Sequence, residues 1–492
     1  MVKAMRLTTR KEATKVSTDV LVVGGGTAGF VAAIAAARNG ARVILAEQYD
    51  HLGGTHSGGM VHMIRSMRHM RAPRDIGEKR VMMAGYESSY DDQQVVFSIA
   101  QEYLDRMIEA KSAWGGKGQA TARQTFDPEM AKWVIEQMVL EAGVEVWFYA
   151  QATDVVLAEG SVRVVVIENL QERIEIAPRV TIDTTGDGDV CAAAGASFDK
   201  GNHETGACQP LTLYFAIGGV DLEKTIRYIA EHPEEFGQEY VATLLRLKGE
   251  GKSITLMPSK SKIREALKNG DYPIPLGLDA VNPDTMTYPS RPLFRNGRFR
   301  TEITLHNLDM AFKVDPTNRR ELTRAMIGMR DIAVRMAAFY RKYMPGYEDC
   351  YLVHTAQRVG IRDSRRIVCD YTITADDVIS GRTFDDAIGR YGSVLDVHDK
   401  DGIHLKEVGG SGWFHIPYRA LLPHGLDGLL VAGRCISADH AAQGCTRSQA
   451  SCMITGQAAG TAAALAVKAG VGPRGIDVPQ LQRILSSQKQ AI

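Results

Sequence analysis

An α/β fold whose main domain is assembled from separated stretches follows from three observations in this 492-residue chain. The segment DVLVVGGGTAGFVAAIAAARNGARVILAE, Asp19 to Glu47, reads as strand, glycine turn, alanine-rich helix and second strand. The same grammar recurs at VTIDTTGDGDVCAAAGA and again, near the end, at GLLVAGRCISADHAAQGCTRSQASCMITGQAAGTAAALAV. Strands alternating with helices in this way predict a three-layer, Rossmann-like arrangement rather than an all-β or all-α one.

The first block carries the most chemistry. Gly24, Gly26 and Gly29 give G-x-G-x-x-G between a strand and a helix. Gly24 suits the tight turn, Gly26 a close backbone approach to a pyrophosphate, and Gly29 close packing of helix on sheet. The phosphates then sit at the positive helix end that begins with Thr27 and Ala28. Glu47 ends the second strand, where a carboxylate accepts hydrogen bonds from both ribose hydroxyls and disfavours a 2′-phosphate. The spacing therefore predicts a dinucleotide site.

Next, HLGGTHSGGM places four glycines, Gly53, Gly54, Gly58 and Gly59, where a thin backbone can lie beside a planar ligand. Residues 66–125, rich in Met, Arg and charge, read as a helical insertion. Pro128 then opens a helix. The β-branched runs VEVWFYAQATDVVLAEG and SVRVVVIENL read as paired strands. The predicted dinucleotide domain comprises 15–65, 126–210 and 424–470. Residues 211–423, mixing strands with long amphipathic helices, are expected to form an inserted α+β substrate or cap domain, and 471–492 a C-terminal tail.

Composition narrows the partners. The chain has 58 basic and 58 acidic residues, so no global field draws in nucleic acid or anionic membrane. The first residues lack an apolar signal core, and no stretch is expected to span a bilayer; the run Thr461 to Val467 reads as a packed helix. Seven scattered cysteines without a C-x-x-C pair read as reduced thiols in a cytoplasmic setting. Asp187 and Asp189 form D-x-D with no further ligand at metal spacing, so no metal site is expected.

Four blocks together carry a family resemblance: the glycine turn Gly24 to Gly29, IDTTGDGDVCAAAG, GIRDSRRI, and LLVAGRCISADHAAQGCTRSQASCMITGQAAG. The chain resembles the FAD-dependent oxidoreductases with a glutathione-reductase type of FAD domain, in the branch described simply as FAD-dependent oxidoreductase. The resemblance implies FAD as cofactor, held in a discontinuous domain with the flavin at the domain junction. It implies that Ala152 meets the adenine edge, that Gly186 and Asp187 form a turn beside the dinucleotide, and that Gly433 and Arg434 hold the ribityl–phosphate arm. It also implies that Ala441 to Ser448, with Gln443 and Gly444, leads into a helix whose N-terminus points at the flavin pyrimidine. Gln48, Gly54 and Thr55 complete the expected cofactor contacts.

No second G-x-G-x-x-G is present, and Thr55, His56 and Ser57 stand where disulfide reductases carry redox cysteines. Electrons are therefore expected from a small polar substrate, an alcohol or amine, with hydride passing to flavin N5 and reoxidation by oxygen, a quinone or a protein carrier. The runner-up is reduction of an activated C=C bond, as in fumarate reductase and ketosteroid dehydrogenase relatives; a non-redox binder on the same fold is the other class. His440 is a candidate proton acceptor or a purely hydrogen-bonding group. His56 is a candidate substrate contact or covalent flavin link, with loop packing as the alternative. Arg447, near the flavin helix, is a candidate catalytic residue, and the cluster of Arg362, Arg365 and Arg366 offers candidate ligands of a polar or anionic substrate, against a structural network with Asp363 and Asp370. His415 is expected on a strand-to-loop wall of the substrate site. Substrate identity, electron acceptor and homo-oligomer formation stay open.

Overall fold

The computed structural model describes residues 13–69, 94–120, 123–169, 172–286 and 288–492. It is the α/β structure expected, built around a seven-stranded sheet. Thr14–Val23 runs parallel to Val43–Ala46 on one side and to Arg173–Asp183 on the other. Glu145–Trp147 extends the first edge in parallel. Arg173–Asp183 shares its far flank between antiparallel Ser161–Glu168 at its start and parallel Leu429–Val431 at its end. Strands from the beginning, the first third and the C-terminal part of the chain thus meet in one sheet.

Both faces of that sheet are buried, and the period of two decides which side chain goes where. Val20, Val22, Val43 and Leu45 enter one apolar cluster, whereas Leu21, Val23, Ile44 and Ala46 enter another. The first face is covered by helices Thr27–Arg38, Ile99–Glu109, Pro128–Glu141 and Gln449–Ala469. The Pro128 helix starts where expected: the Asp127 carboxylate accepts the Glu129 N–H at 3.0 Å, and proline fills the first turn. Of the expected insertion, Ile99–Glu109 is helical and residues 70–93 lie outside the described residues.

The helix Gln449–Ala469 contains the run Thr461 to Val467 and is the packed helix expected. By length and composition it could cross a membrane, but 94% of its apolar window is buried inside the protein, where it packs along Thr27–Arg38. Two glycines permit that contact. A Cβ on Gly456 would stand 2.3 Å from the Ala28 carbonyl oxygen, and one on Gly460 would stand 2.1 Å from that of Ala32. The helix is therefore a central beam whose small residues let two backbones touch.

A second sheet, in the order Ser290–Arg295, Arg298–His306, Phe215–Gly218, Tyr351–Thr355, is antiparallel throughout. Helix Arg319–Tyr343, capped by Asn318, packs on it around Phe215, Leu305, Met329 and Tyr340. His306 is buried there, stacked on Phe215 and within hydrogen-bonding distance of Thr304 Oγ1 (2.9 Å) and the Tyr340 hydroxyl (3.2 Å). Residues after 470 carry a helix, Val478–Ser487, with Leu481 and Leu485 wholly buried, so the stretch expected to be a tail contributes to the core.

Two outcomes follow from this packing. Replacing Gly456 and Gly460 together by alanine overpacks the helix contact and is expected to lower stability by ~1–3 kcal/mol per site, read as a fall in Tm; an unchanged Tm would refute the close contact. The second concerns acid. His56, His62 and His306 are buried, and burial pushes each imidazole down to about 3. They stay neutral in the folded chain but take up protons in the unfolded chain below its ordinary value of 6.5, so stability present above that pH is lost as pH falls. At pH 5 each costs about 2 kcal/mol. Asp189, raised to about 6 by burial and by Asp187 and Asp183, works in the opposite sense, but its side chain is 46% exposed and solvent screens the effect. Carboxylates held low by their partners act only below about pH 4. The Tm should therefore drop between pH 6.5 and pH 5, and a flat profile would contradict the assignment.

Candidate active site

The glycine turn folds as its spacing requires. Gly24 has φ +95°, and a Cβ there would meet the Thr184 carbonyl oxygen at 2.6 Å. A Cβ on Gly29 would meet the Gly24 carbonyl oxygen at 1.8 Å, so this glycine packs helix against strand and does not line the cavity. Thr184 Oγ1 fastens the turn by donating toward the carbonyls of Val23 (2.8 Å) and Gly24 (2.6 Å). Gly26 differs: a Cβ there would meet nothing nearer than the Thr184 carbonyl oxygen at 3.9 Å, so it would point into open space.

That space is a cavity of about 490 Å³ that begins at Gly24, Gly26, Thr27 and Ala28. The helix starting at Thr27 has no side-chain cap and no acid in its first turn. Its unpaired N–H groups and positive dipole end therefore face the cavity, which is the environment a pyrophosphate needs. Glu47, 2% exposed, also lines it; its carboxylate accepts the Gly25 N–H at 2.7 Å and the Tyr49 N–H at 3.0 Å. Gln48, Gly54, Thr55 and Ala152 complete this end. Arg358, which the sequence did not single out, lies 3.7 Å from Glu47 with its guanidinium 4.0 Å from the centre of the Tyr49 ring.

Farther along, Gly186 and Gly433 line the wall with Arg434. Arg434 is held by Asp187 (2.9 Å) and Ser364 (2.8 Å), so Asp187 orients the arginine and is not itself on the wall. Gly444, Arg447 and Ser448 also reach the wall, where Gln449–Ala469 begins with an N-cap, Ser448, that makes no side-chain cap. Gln443 stands behind it, donating to the Arg362 carbonyl at 3.0 Å. Two uncapped helix ends and a carboxylate at the end of the second strand fit FAD, the first end and Glu47 for the adenosine diphosphate half, the second for the flavin.

Several expected residues are elsewhere. His56 is fully buried, its Nε2 2.6 Å from the Tyr103 hydroxyl and its ring stacked on Phe126, away from the cavity wall. His440 is the first residue of a short helix, with Nδ1 3.2 Å from Asp363, which in turn pairs with the buried Arg366 at 2.7 Å. That group is the structural network of the GIRDSRRI block. Arg365 donates to Asp189 at 2.8 Å and to the Asp187 carbonyl at 3.0 Å, off the wall. His415 accepts the Phe384 N–H at 3.2 Å and stacks on Trp413, also off the wall. Among the described residues no His, Cys, Asp and Glu cluster suits a metal, and no cysteine is in a disulfide.

Arg362 and Arg447 do line the cavity, within a buried charged network. Arg362 pairs with Asp309 at 2.7 Å and donates to the Pro210 carbonyl at 2.7 Å. His398 lies between two carboxylates, Nδ1 2.8 Å from Asp309 and Nε2 3.1 Å from Asp396. Asp396 pairs with Arg65, and its backbone carbonyl accepts from Arg447 at 2.8 Å. Burial pulls Arg447 down to about 10, with Arg362 and Arg65 adding to the effect against Asp396. Tyr214, Tyr288, Arg291 and Asn307 complete this end. None of these last four, nor Arg65, His398 or the two aspartates, belongs to a local motif; an arginine inside the apolar strand SRPLFR was the one available signal.

Comparison with known proteins agrees with this geometry. The family model described as FAD dependent oxidoreductase matches residues 19–485. No curated protein matches the chain. Similar solved structures include a geranylgeranyl bacteriochlorophyll reductase-like protein from Thermoplasma acidophilum, 12% identical over 96% of this chain and 83% of that one, TM-score 0.41. Others are p-nitrophenol 4-monooxygenase from Pseudomonas putida (10%, 96% and 86%, 0.42) and a myxobacterial chondrochloren halogenase (12%, 96% and 78%, 0.42). Likeness at that level carries no argument about substrate. The family match spans nearly the whole chain, and the chain belongs to the FAD dependent oxidoreductase family, an enzyme family whose cofactor is FAD.

Proposed function

We propose that this enzyme oxidises a small polar substrate, an alcohol or an amine, at the end of the cavity walled by Arg362, Arg447, Tyr214, Asn307 and His398. The observation that carries this reading is continuity: one cavity runs from the glycine turn to a polar pocket walled by Arg291 of the second sheet and by the hairpin strand Leu395–Asp399 that carries His398. When bound, FAD supplies the two-electron acceptor, and oxygen, a quinone or a protein carrier reoxidises it. The chain supplies the rest. Gly24, Gly26 and Glu47 hold the cofactor's adenosine diphosphate half, and Arg434, fixed by Asp187, offers a directed cation farther along the wall. His398 is the histidine on the wall among the described residues, and Asp309 on its Nδ1 fixes the ring so that Nε2 is directed toward Asp396. A proton leaving the substrate's O–H or N–H has that imidazole and carboxylate pair as its acceptor.

The reading has direct tests. The purified protein should be yellow, and acid precipitation should release the flavin into the supernatant, because His56 does not reach the cavity; colour in the pellet would contradict this. Glu47→Ala removes a charge-assisted acceptor and should weaken FAD binding about 10- to 100-fold, measured by flavin release on dilution. A variant that keeps wild-type occupancy would remove Glu47 from the site. Finally, an alcohol or amine should bleach the oxidised-flavin bands anaerobically. Bleaching by none, together with turnover of an activated C=C compound by the dithionite-reduced enzyme, would reverse the direction of electron flow.

A further inference from the structure

The charges along the cavity do not balance at one end. At the end near the glycine turn each cation has a carboxylate: Arg358 has Glu47 at 3.7 Å, Arg434 has Asp187 at 2.9 Å, and Asp189 is matched by Arg365 at 2.8 Å. At the other end four guanidinium groups, of Arg65, Arg291, Arg362 and Arg447, reach the wall beside only two carboxylates, Asp309 and Asp396. Those two are already engaged, Asp309 by Arg362 and His398, Asp396 by Arg65 and His398. Arg447 is left with a backbone carbonyl and the Gln209 side chain, and its Nε has no hydrogen-bond partner.

Arg291 is the most exposed to this deficit, in charge if not in area. It is 5% accessible, lies on the wall, and forms no ion pair with any described residue. Its titratable neighbours are the neutral Tyr214 and His62 and a second cation, Arg65. A buried guanidinium without a counter-ion is costly, and the two neighbouring tyrosines, Tyr214 and Tyr288, offer hydroxyls but no charge. Leaving His398 aside, the pocket therefore carries two uncompensated positive charges in forks whose geometry matches planar carboxylates.

We propose that the substrate of this pocket is a small dianionic organic acid, with two carboxylates answering the surplus at Arg291 and at the Arg65–Arg362–Arg447 group. This rests on the oxidase or dehydrogenase reading above and names the substrate class within it: the oxidised carbon lies in a molecule anchored by its two acid groups.

The test uses the FAD-loaded enzyme and unreactive probes, succinate and glutarate against propionate and sulfate at constant ionic strength, with binding followed by perturbation of the flavin spectrum or by calorimetry. The dicarboxylates should bind tenfold or more tightly than propionate, since one extra charge-assisted contact is worth about a factor of ten. Arg291→Gln should remove that preference while leaving flavin content unchanged, and Arg291→Lys should retain part of it. Equal affinity for propionate and succinate, an Arg291→Gln variant with the preference intact, or sulfate binding as tightly as the dicarboxylates would overturn the proposal. If Arg291→Gln does not fold, the wild-type comparison and Arg291→Lys decide. Dicarboxylate preference without bleaching by any hydroxy or amino dicarboxylic acid would sink the oxidation reading and leave the anion reading standing. Bleaching by uncharged alcohols with no dianion preference would do the reverse.

Discussion

The contact between the helix Thr27–Arg38 and the helix Gln449–Ala469 is the constraint on which the site depends. Both helices begin on the cavity wall, and both lack a side-chain cap at that end. Their backbones touch because Gly456 and Gly460 oppose the carbonyls of Ala28 and Ala32, while Gly433 packs against Ala28. The distance between the two positive helix ends is thereby set by close-packed backbone and by nothing softer. A bulky residue at any of these positions would separate two dipoles that serve one ligand.

A second fixture ties three stretches of chain outside the two main sheets. Arg366, 1% exposed, donates to the carbonyls of Ala438 (3.0 Å) and Gly201 (2.9 Å) and pairs with Asp363, against which His440 rests. Three distant stretches of chain are tied by one guanidinium. Such a group is expensive to bury unless each donor has an acceptor, and here the acceptors are backbone carbonyls that belong to the parts being joined. Arginine-rich sequence at GIRDSRRI therefore divides by position: Arg366 binds the seam, Arg365 reaches Asp189, and Arg362 alone meets the cavity.

How much of this was legible follows the same division. The glycine turn and Glu47 could be read because they form a local pattern, strand to turn to helix, in which spacing fixes geometry, whereas Ala152 and the start of the C-terminal helix came from the family resemblance. His56 and His440 were misplaced because nearness in sequence to a glycine block does not say which way a side chain points. His56 turns into an aromatic core with Tyr103 and Phe126, and His440 sits at a helix start beside a buried carboxylate. Asp187 and Gln443 stand one layer behind the wall for the same reason. Arg291, His398, Asp309 and Asp396 were invisible because they come from separate segments, some of them a hundred residues apart, that meet only in the tertiary fold.

The segment from Gln357 to Arg362 links these two kinds of region. Its start is pinned to the glycine loop, where the amides of Gln357 and Arg358 both donate to the Gly58 carbonyl, and its middle is pinned by an isolated bridge between Gly360 and Thr212, three residues before the strand Phe215–Gly218. Arg358 looks toward Glu47, and four residues later Arg362 looks toward Asp309. One short stretch of backbone thus serves as a shared strut for both ends of the cavity. Because Arg358 and Arg362 hang from that one strut, the glycine-loop end and the Asp309 end of the cavity are held at a single fixed spacing.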